Sequence, residues 1–164
     1  MAAYAFPLFM RGASLFAGDG DPGRHIRVGS YILETHSIPS VDLFSHTMQG
    51  APFIPFEWLS EVIFAGFHMS AGLSGTAVLT ALLFGATVAL VYLTMVRSGV
   101  PTLVAFLFAF VSMILQALHL HPRPHMFTTL LVAVFAFILL KARRDRRTRR
   151  LLLLPPLMDT AALW

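Results

Sequence analysis

The run Met69-Ser-Ala-Gly-Leu-Ser-Gly-Thr-Ala-Val-Leu-Thr-Ala-Leu-Leu-Phe-Gly-Ala-Thr-Val-Ala-Leu-Val-Tyr-Leu-Thr-Met-Val96 decides the fold class of this chain. It contains 28 residues without a single Asp, Glu, Lys, Arg or His. A helix of about 20 residues crosses the roughly 30 Å of hydrocarbon in a bilayer. Small residues within the run, among them Gly75 and Gly85, favour close contact with neighbouring helices. The sequence therefore predicts a transmembrane helix over residues 73–96.

The rest of the chain has the composition of a membrane protein. Of its 164 residues, 57% are hydrophobic and 12% are charged, whereas a soluble domain carries roughly 25% charged residues. Its mean hydropathy is +0.74. Two further runs lack charged residues and histidine, Ser98–Leu118 with 21 residues and Met126–Leu140 with 15. They predict spans over residues 101–119 and, with the flanking residues, 123–141.

Both ends of the chain are also apolar. Residues 1–17 predict part of a first span, in which Arg11 needs a polar partner or contact with the interface. Residues 151–164 begin a fifth apolar segment, which Pro155 and Pro156 interrupt. We therefore predict an all-α membrane protein with about four transmembrane helices plus a partial fifth, and with interfacial helices in a long first outer loop.

The positive charge of the chain is concentrated in one place. Seven of the twelve Lys and Arg residues lie in Lys141–Arg150, directly after an apolar run. Such clusters are typical of cytoplasmic loops and can contact anionic membrane lipid, so the net charge of +4 does not indicate nucleic-acid binding. With residues 142–150 cytoplasmic, alternation places residues 18–72 and the turn His119–His125 on the extracytoplasmic side of the membrane. Because the chain has no cysteine, disulfide and thiolate chemistry are excluded.

The predicted outer loop, residues 18–72, is too long for a simple connection. Its glycines and Pro22 predict a helix-breaking turn over Gly18–Gly23, followed by a short amphipathic helix over Arg24–His36. Three prolines predict irregular structure over residues 37–56. Pro55–Glu61 then begins another helix near the membrane surface.

Asp19 and Asp21 are the first candidates for chemistry, because two carboxylates this close can be directed at one cation or one substrate hydroxyl. The alternative is a local turn, with Asp21 capping the following helix. His25 lies four residues after Asp21, where a carboxylate can orient the imidazole. Arg24 and Arg27 share a helix face and fit a phosphate clamp, or equally contact with lipid head groups or with Asp21.

Two further polar groups follow. Glu57 and Glu61 lie four residues apart on one helix face and could bind a metal or serve as acid and base, although solvated surface is the commoner outcome for such a pair. His119, His121 and His125 resemble a metal spacing, but Pro122 and Pro124 interrupt it. Together with Arg123, these histidines are better suited to hydrogen bonding and attraction of an anionic ligand.

Several motifs together carry a resemblance to a known family. They are Gly18-Asp-Gly-Asp-Pro-Gly-Arg-His-Ile-Arg-Val-Gly29, Tyr31-Ile-Leu-Glu34, Ile38-Pro39, Asp42-Leu-Phe-Ser45, Glu57-Trp-Leu-Ser-Glu61 and Arg123-Pro-His-Met-Phe-Thr128. Over residues 15–158 the chain resembles the amino-terminal part of bacterial polytopic membrane proteins related to the GT-C glycosyltransferases.

This resemblance implies a transferase that uses a polyprenyl-phosphate-linked sugar at the extracytoplasmic face. Asp19 or Asp21 would be the acidic residue that activates the acceptor or coordinates a divalent metal. Arg24, His25 and Arg123 would contact the donor phosphate, and we add Arg27, Glu57 and His125 as substrate-binding candidates.

Two expectations accompany the resemblance. Because relatives of this kind have several hundred residues and the fifth segment stops at Trp164, we expect a truncated or frameshifted product. The competing function is a non-catalytic membrane subunit whose outer loop binds a lipid or protein partner. A transporter is disfavoured because the runs Met69–Val96 and Ser98–Leu118 hold no ionisable residue at mid-span.

Overall fold

The computed structural model describes residues 20–117 and 121–145. This part of the chain holds four α-helices and no strand, so the prediction of an all-α fold is confirmed for it. An isolated bridge joins Val41 and Pro52 in the segment between the first two helices. In chain order the helices are α1 (Asp21–Thr35), α2 (Trp58–Arg97), α3 (Thr102–Ala117) and α4 (His125–Asp145).

Helix α1 begins earlier than the sequence predicts. Its first residue is Asp21, so the prediction of a helix-breaking turn through Gly23 is wrong. Pro22 falls in the first helical turn, where a missing N–H costs nothing and the fixed φ suits the helix. Gly20 occupies the N-cap without a side-chain capping bond, so Asp21 is not the cap. At the other end His36 adopts a left-handed conformation, φ 54°, and its N–H donates to the carbonyl of Ile32.

Helix α1 lies directly against the first part of α2. Its buried residues are Pro22, His25, Val28 and Gly29, which recur at the three- and four-residue spacing of one helix face. A Cβ on Gly29 would collide with the backbone carbonyl of Glu61. Only glycine therefore allows the two helices this backbone contact, and the contact holds His25 beside α2.

Helix α2 is kinked at Ala71 and Gly72. Gly72 has φ 62° and ψ −150°, a backbone conformation that residues other than glycine rarely adopt. Just after the kink a Cβ on Gly75 would collide with the carbonyl of Phe67, so the chain is also tightly packed there. The kink lies at the point where the sequence predicts the span over residues 73–96 to begin.

The hydrophobic core lies where α2 contacts the other helices. Helix α2 packs against α1, α3 and α4, and the rings of Phe64 and Phe127 meet edge to face with centroids 5.6 Å apart. Three threonines of α2, namely Thr80, Thr87 and Thr94, each donate the side-chain hydroxyl to the backbone carbonyl four residues earlier. The buried members of the core are Phe64, Leu79, Leu83, Phe84, Val88, Ala109 and Met126.

Two helices of the described chain, α2 and α4, are long and apolar enough to cross a membrane. Helix α2 contains the predicted span over residues 73–96, and α4 covers all but the first two residues of the span predicted over residues 123–141. Helix α3, predicted as the span over residues 101–119, has 16 residues and is shorter than a typical span. The predicted first and fifth spans, residues 1–17 and 151–164, lie outside the described residues. Of the three spans predicted within the described residues, two therefore correspond to helices of spanning length.

Candidate functional site

An ion pair joins the start of α1 to the turn before α4. Arg123 Nη2 lies 2.8 Å from Asp21 Oδ2, and both side chains are roughly half exposed. The start of α1 and the turn before α4, which the sequence predicts to lie on the same side of a membrane, are thus in contact, and their side of the membrane stays a prediction. Asp19, the other predicted carboxylate, and His119 lie outside the described residues.

A second polar group is buried between α1 and α2. His25 is 3% exposed, and its Nδ1 lies 2.9 Å from Glu61 Oε1 and 3.7 Å from Glu57 Oε2. The expectation that Asp21 orients His25 is wrong, because the close helix contact at Gly29 brings Glu61 to the imidazole. When Glu61 is ionised it can only accept, so His25 donates through Nδ1–H.

The two glutamates have different environments despite sharing a helix face. Glu61 is 1% exposed, so solvated surface is the wrong interpretation for it, since α1 covers this turn of α2. The side chain of Glu57 is 36% exposed and lies 4.0 Å from Arg24 Nη2. The imidazole of His25 thus links a buried carboxylate to one that solvent and ligands can reach.

Arg24 and Arg27 line a common cavity of about 360 Å³ next to this cluster. The guanidinium of Arg27 lies over the ring of Phe44, 5.8 Å from its centroid. The arrangement suits an anionic group, since two guanidiniums converge on a partly enclosed space. The other lining residues are Gly23, Val28, Asp42, Phe44, Ser45 and Phe53.

The far wall of the cavity is an ordered part of the loop over residues 36–57. Asp42 Oδ1 accepts hydrogen bonds from the backbone N–H groups of Phe44 and Ser45. The Asp42 N–H donates to the carbonyl of Ala51, and the Gly50 N–H donates to that of Asp42. Sequence reasoning did not assign Asp42 or Phe44 to the site. The signal available was the Asp-x-Phe-Ser pattern, which is typical of a side-chain-stabilised turn.

Among the described residues, one set of three side chains is arranged to hold a metal ion. Ligand atoms of His25, Glu57 and Glu61 all lie within 4.8 Å of one another. His121 and His125, in the turn that resembles a metal spacing, do not belong to it. His125 is instead the exposed first residue of α4, close in sequence to Arg123.

No family model, curated protein or solved structure matches the chain at a significant level. The resemblance to the GT-C glycosyltransferases therefore stays a prediction. Functional inference rests on the geometry: an exposed carboxylate paired with arginine, a cavity with two further arginines, and a buried His–Glu pair behind Glu57.

Proposed function

We propose that this chain is an integral membrane protein and that its polar end binds a polyprenyl-phosphate-linked sugar, as in a GT-C-like glycosyltransferase. Support for the membrane comes from where the apolar surface lies. In the most apolar 18-residue windows of α2 and α4, only 33% and 17% of the residues are buried. Helices this apolar and this exposed need a cover, which lipid chains supply.

The end of the helices remote from Asp21 supports an orientation. Arg144 Nη1 donates to the carbonyl of Arg97, and both Arg97 and Lys141 lie over the ring of Phe137. These residues line a cavity of about 710 Å³ together with Arg143. We place this basic end in the cytoplasm, where positive charge accumulates and anionic lipid head groups are available. The polar end then faces outward from a bacterial inner membrane.

The observation that carries the transferase proposal is the ion pair between Asp21 and Arg123. It holds an accessible carboxylate beside a guanidinium, at the same end of the molecule as Arg24 and Arg27. In the proposed reaction the arginines bind the donor phosphate, and Asp21 accepts the proton of the acceptor hydroxyl. The acceptor oxygen bonds to the sugar carbon while the bond from that carbon to the phosphate oxygen breaks. Polyprenyl phosphate leaves, and the arginines stabilise its charge.

The remaining predicted site residues have supporting roles in this proposal. Because His25 is buried, we propose that it holds the side chain of Glu57 in place and does not contact the substrate. Glu57 and His125 are exposed enough to reach the acceptor or the donor sugar.

The test is release of polyprenyl phosphate from a polyprenyl-phosphate-linked hexose by the purified chain in nanodiscs, with a free sugar supplied as the hydroxyl acceptor. We expect Asp21→Asn to lower the rate by at least about a hundredfold, the scale of a lost general base. Arg123→Gln should weaken donor binding by about tenfold or more, the scale of a lost charge-assisted hydrogen bond. Glu34→Gln, which alters an exposed carboxylate elsewhere on α1, is the matched control. Release that is unaffected by Asp21→Asn would exclude the proposed chemistry.

One observation favours the competing function of a non-catalytic membrane subunit. Large apolar side chains protrude from the segment between α1 and α2, with Met48 59%, Ile54 68% and Phe56 72% exposed. Such a surface fits contact with a lipid or protein partner. In the same assay, saturable donor binding without release would favour this function over transfer.

A further inference from the structure

The carboxylate of Glu61 is incompletely satisfied by the described part of the chain. One oxygen, Oε1, lies 2.9 Å from His25 Nδ1. The other, Oε2, is buried and has no hydrogen-bond partner among the described residues. A buried carboxylate oxygen without a partner loses its hydration with no compensation, and such groups in native proteins usually mark a bound ion or water. A bound cation would therefore supply the missing partner of Glu61 Oε2 and compensate the negative charge of the carboxylate.

The spacing of the surrounding ligand atoms fits a small metal ion. An ion with bonds of about 2.0–2.1 Å in tetrahedral geometry holds its ligands about 3.3 Å apart. The separations of His25 Nδ1 from Glu61 Oε1 and Glu57 Oε2 are 2.9 Å and 3.7 Å, which bracket that value. All three ligand atoms, including the oxygens of Glu57 and Glu61, lie within 4.8 Å of one another.

We propose that His25, Glu57 and Glu61 bind one divalent transition-metal ion of the Zn²⁺ or Mn²⁺ class. Imidazole nitrogen with carboxylate oxygen is a ligand set that these ions accept. The ion takes the place of the proton on His25 Nδ1, the neutral imidazole then carries its proton on Nε2, and the two positive charges of the ion balance the two carboxylates. Three protein ligands leave coordination positions open, as in catalytic rather than structural metal sites.

The backbone supports this site from two helices rather than from a loop. Gly29 holds α1 against the carbonyl of Glu61, and His25 precedes Gly29 by one helical turn. Glu57 immediately precedes α2 and Glu61 lies in its first turn. Ligands carried in this way are preorganised by helix packing.

The position of the site also indicates a role, and this step rests on the proposed function. Glu57 is the exposed ligand, and Arg24 lies 4.0 Å from it on the wall of the 360 Å³ cavity. An ion bound here faces the arginines that would hold the donor, so its open positions are available to a phosphate oxygen.

Metal binding is tested by calorimetric titration of the full, metal-stripped chain in detergent with ZnCl₂ and with MnCl₂. We expect saturable binding of one ion per chain, because three ligand atoms lie within 4.8 Å of one another. Glu57→Gln and Glu61→Gln should each weaken binding at least about tenfold, as lost metal-site interactions do. Glu34→Gln should bind like the unaltered chain.

Circular dichroism and gel filtration show whether each variant is folded. If Glu61→Gln fails to fold, Glu57→Gln decides the outcome, since Glu57 is half exposed and sits outside the packed interface. Absence of stoichiometric binding by the unaltered chain would overturn the proposal. So would undiminished affinity in the folded glutamine variants, because the ion would then lie elsewhere, for example at the histidine-rich turn. The titration contains no sugar donor, so its result is independent of the transfer assay.

Discussion

Gly29 is the residue on which the geometry of the buried polar cluster depends. It lies on the buried face of α1, and the carbonyl of Glu61 occupies the place that a side chain would need. The hydrogen bond between His25 and Glu61 forms one turn away from this contact. A single missing methyl group thus determines the distance between the two helices and the contact of the imidazole with its carboxylate.

Replacement of Gly29 by alanine should therefore be destabilising. The added Cβ has no space, and forced overpacking costs about 1–3 kcal/mol. Gly23→Ala is the matched control on the same helix, because a Cβ there meets nothing within 4 Å and alanine favours helix by up to about 1 kcal/mol. Unfolding midpoints in detergent measure both effects. Equal midpoints for Gly29→Ala and the unaltered chain would show that the close contact does not exist.

The sequence predicts which individual residues belong to a polar site better than it predicts which side chains they contact. Asp21, Arg24 and His25 stand out because they interrupt an apolar chain. Helical spacing could suggest only partners within about one turn, and it led to Asp21 for His25. The actual partner, Glu61, is 36 residues away, and its approach depends on helix packing that no local pattern encodes.

Helix α2 consists of a shorter segment that packs against α1 and a longer apolar segment, and the kink separates the two. The first segment carries Glu57 and Glu61, whereas the second, after Gly72, forms most of the hydrophobic core. At about 1.5 Å per residue, residues 73–96 extend about 36 Å, close to the thickness of a bilayer. The kink therefore separates the part that carries the site from the part that fits a membrane.

Substitution of Gly72 by alanine should weaken this element. With φ 62° and ψ −150°, Gly72 lies in a region nearly exclusive to glycine, so a Cβ costs about 1–3 kcal/mol unless the backbone changes. Gly66→Ala, in the same helix and with open space around its Cβ position, is the control. Thermal unfolding in detergent should give a lower midpoint for Gly72→Ala only. A midpoint equal to that of Gly66→Ala would mean that α2 is not kinked at this residue.

Hydropathy predicts the positions of the two long apolar helices, because exposing a run of apolar residues to water is unfavourable in free energy whatever the surrounding fold. It also placed the start of the span close to the kink. The prediction for α1 omitted its first turn, because it treated the glycines and Pro22 as helix-breaking residues. Proline is in fact acceptable in the first turn of a helix. Hydropathy did not distinguish a kinked helix over residues 58–97 from two separate helices, because that difference depends on the φ and ψ of two residues.

The whole molecule has two chemically distinct ends joined by apolar helices. One end has the Asp21–Arg123 pair, the His–Glu cluster and the cavity with Arg24 and Arg27. The other has the cluster of basic residues after α2 and around the end of α4. The sequence predicts that these polar and basic groups lie at opposite ends, because successive helices of spanning length place their connections at alternate ends of the molecule. Within the described residues, α3 has 16 residues, fewer than the roughly 20 that a typical span needs, so its uncharged run alone did not predict its length.

We propose that these two ends lie on opposite sides of a membrane, with the polar site outside. The absence of native cysteine makes single-cysteine labelling by an impermeant maleimide a direct test in spheroplasts. Met48→Cys reports on the polar end and Ser98→Cys on the basic end. We predict labelling of Met48→Cys in intact spheroplasts and of Ser98→Cys only after lysis. Labelling of Ser98→Cys with protection of Met48→Cys, or labelling of both before lysis, would contradict the claim.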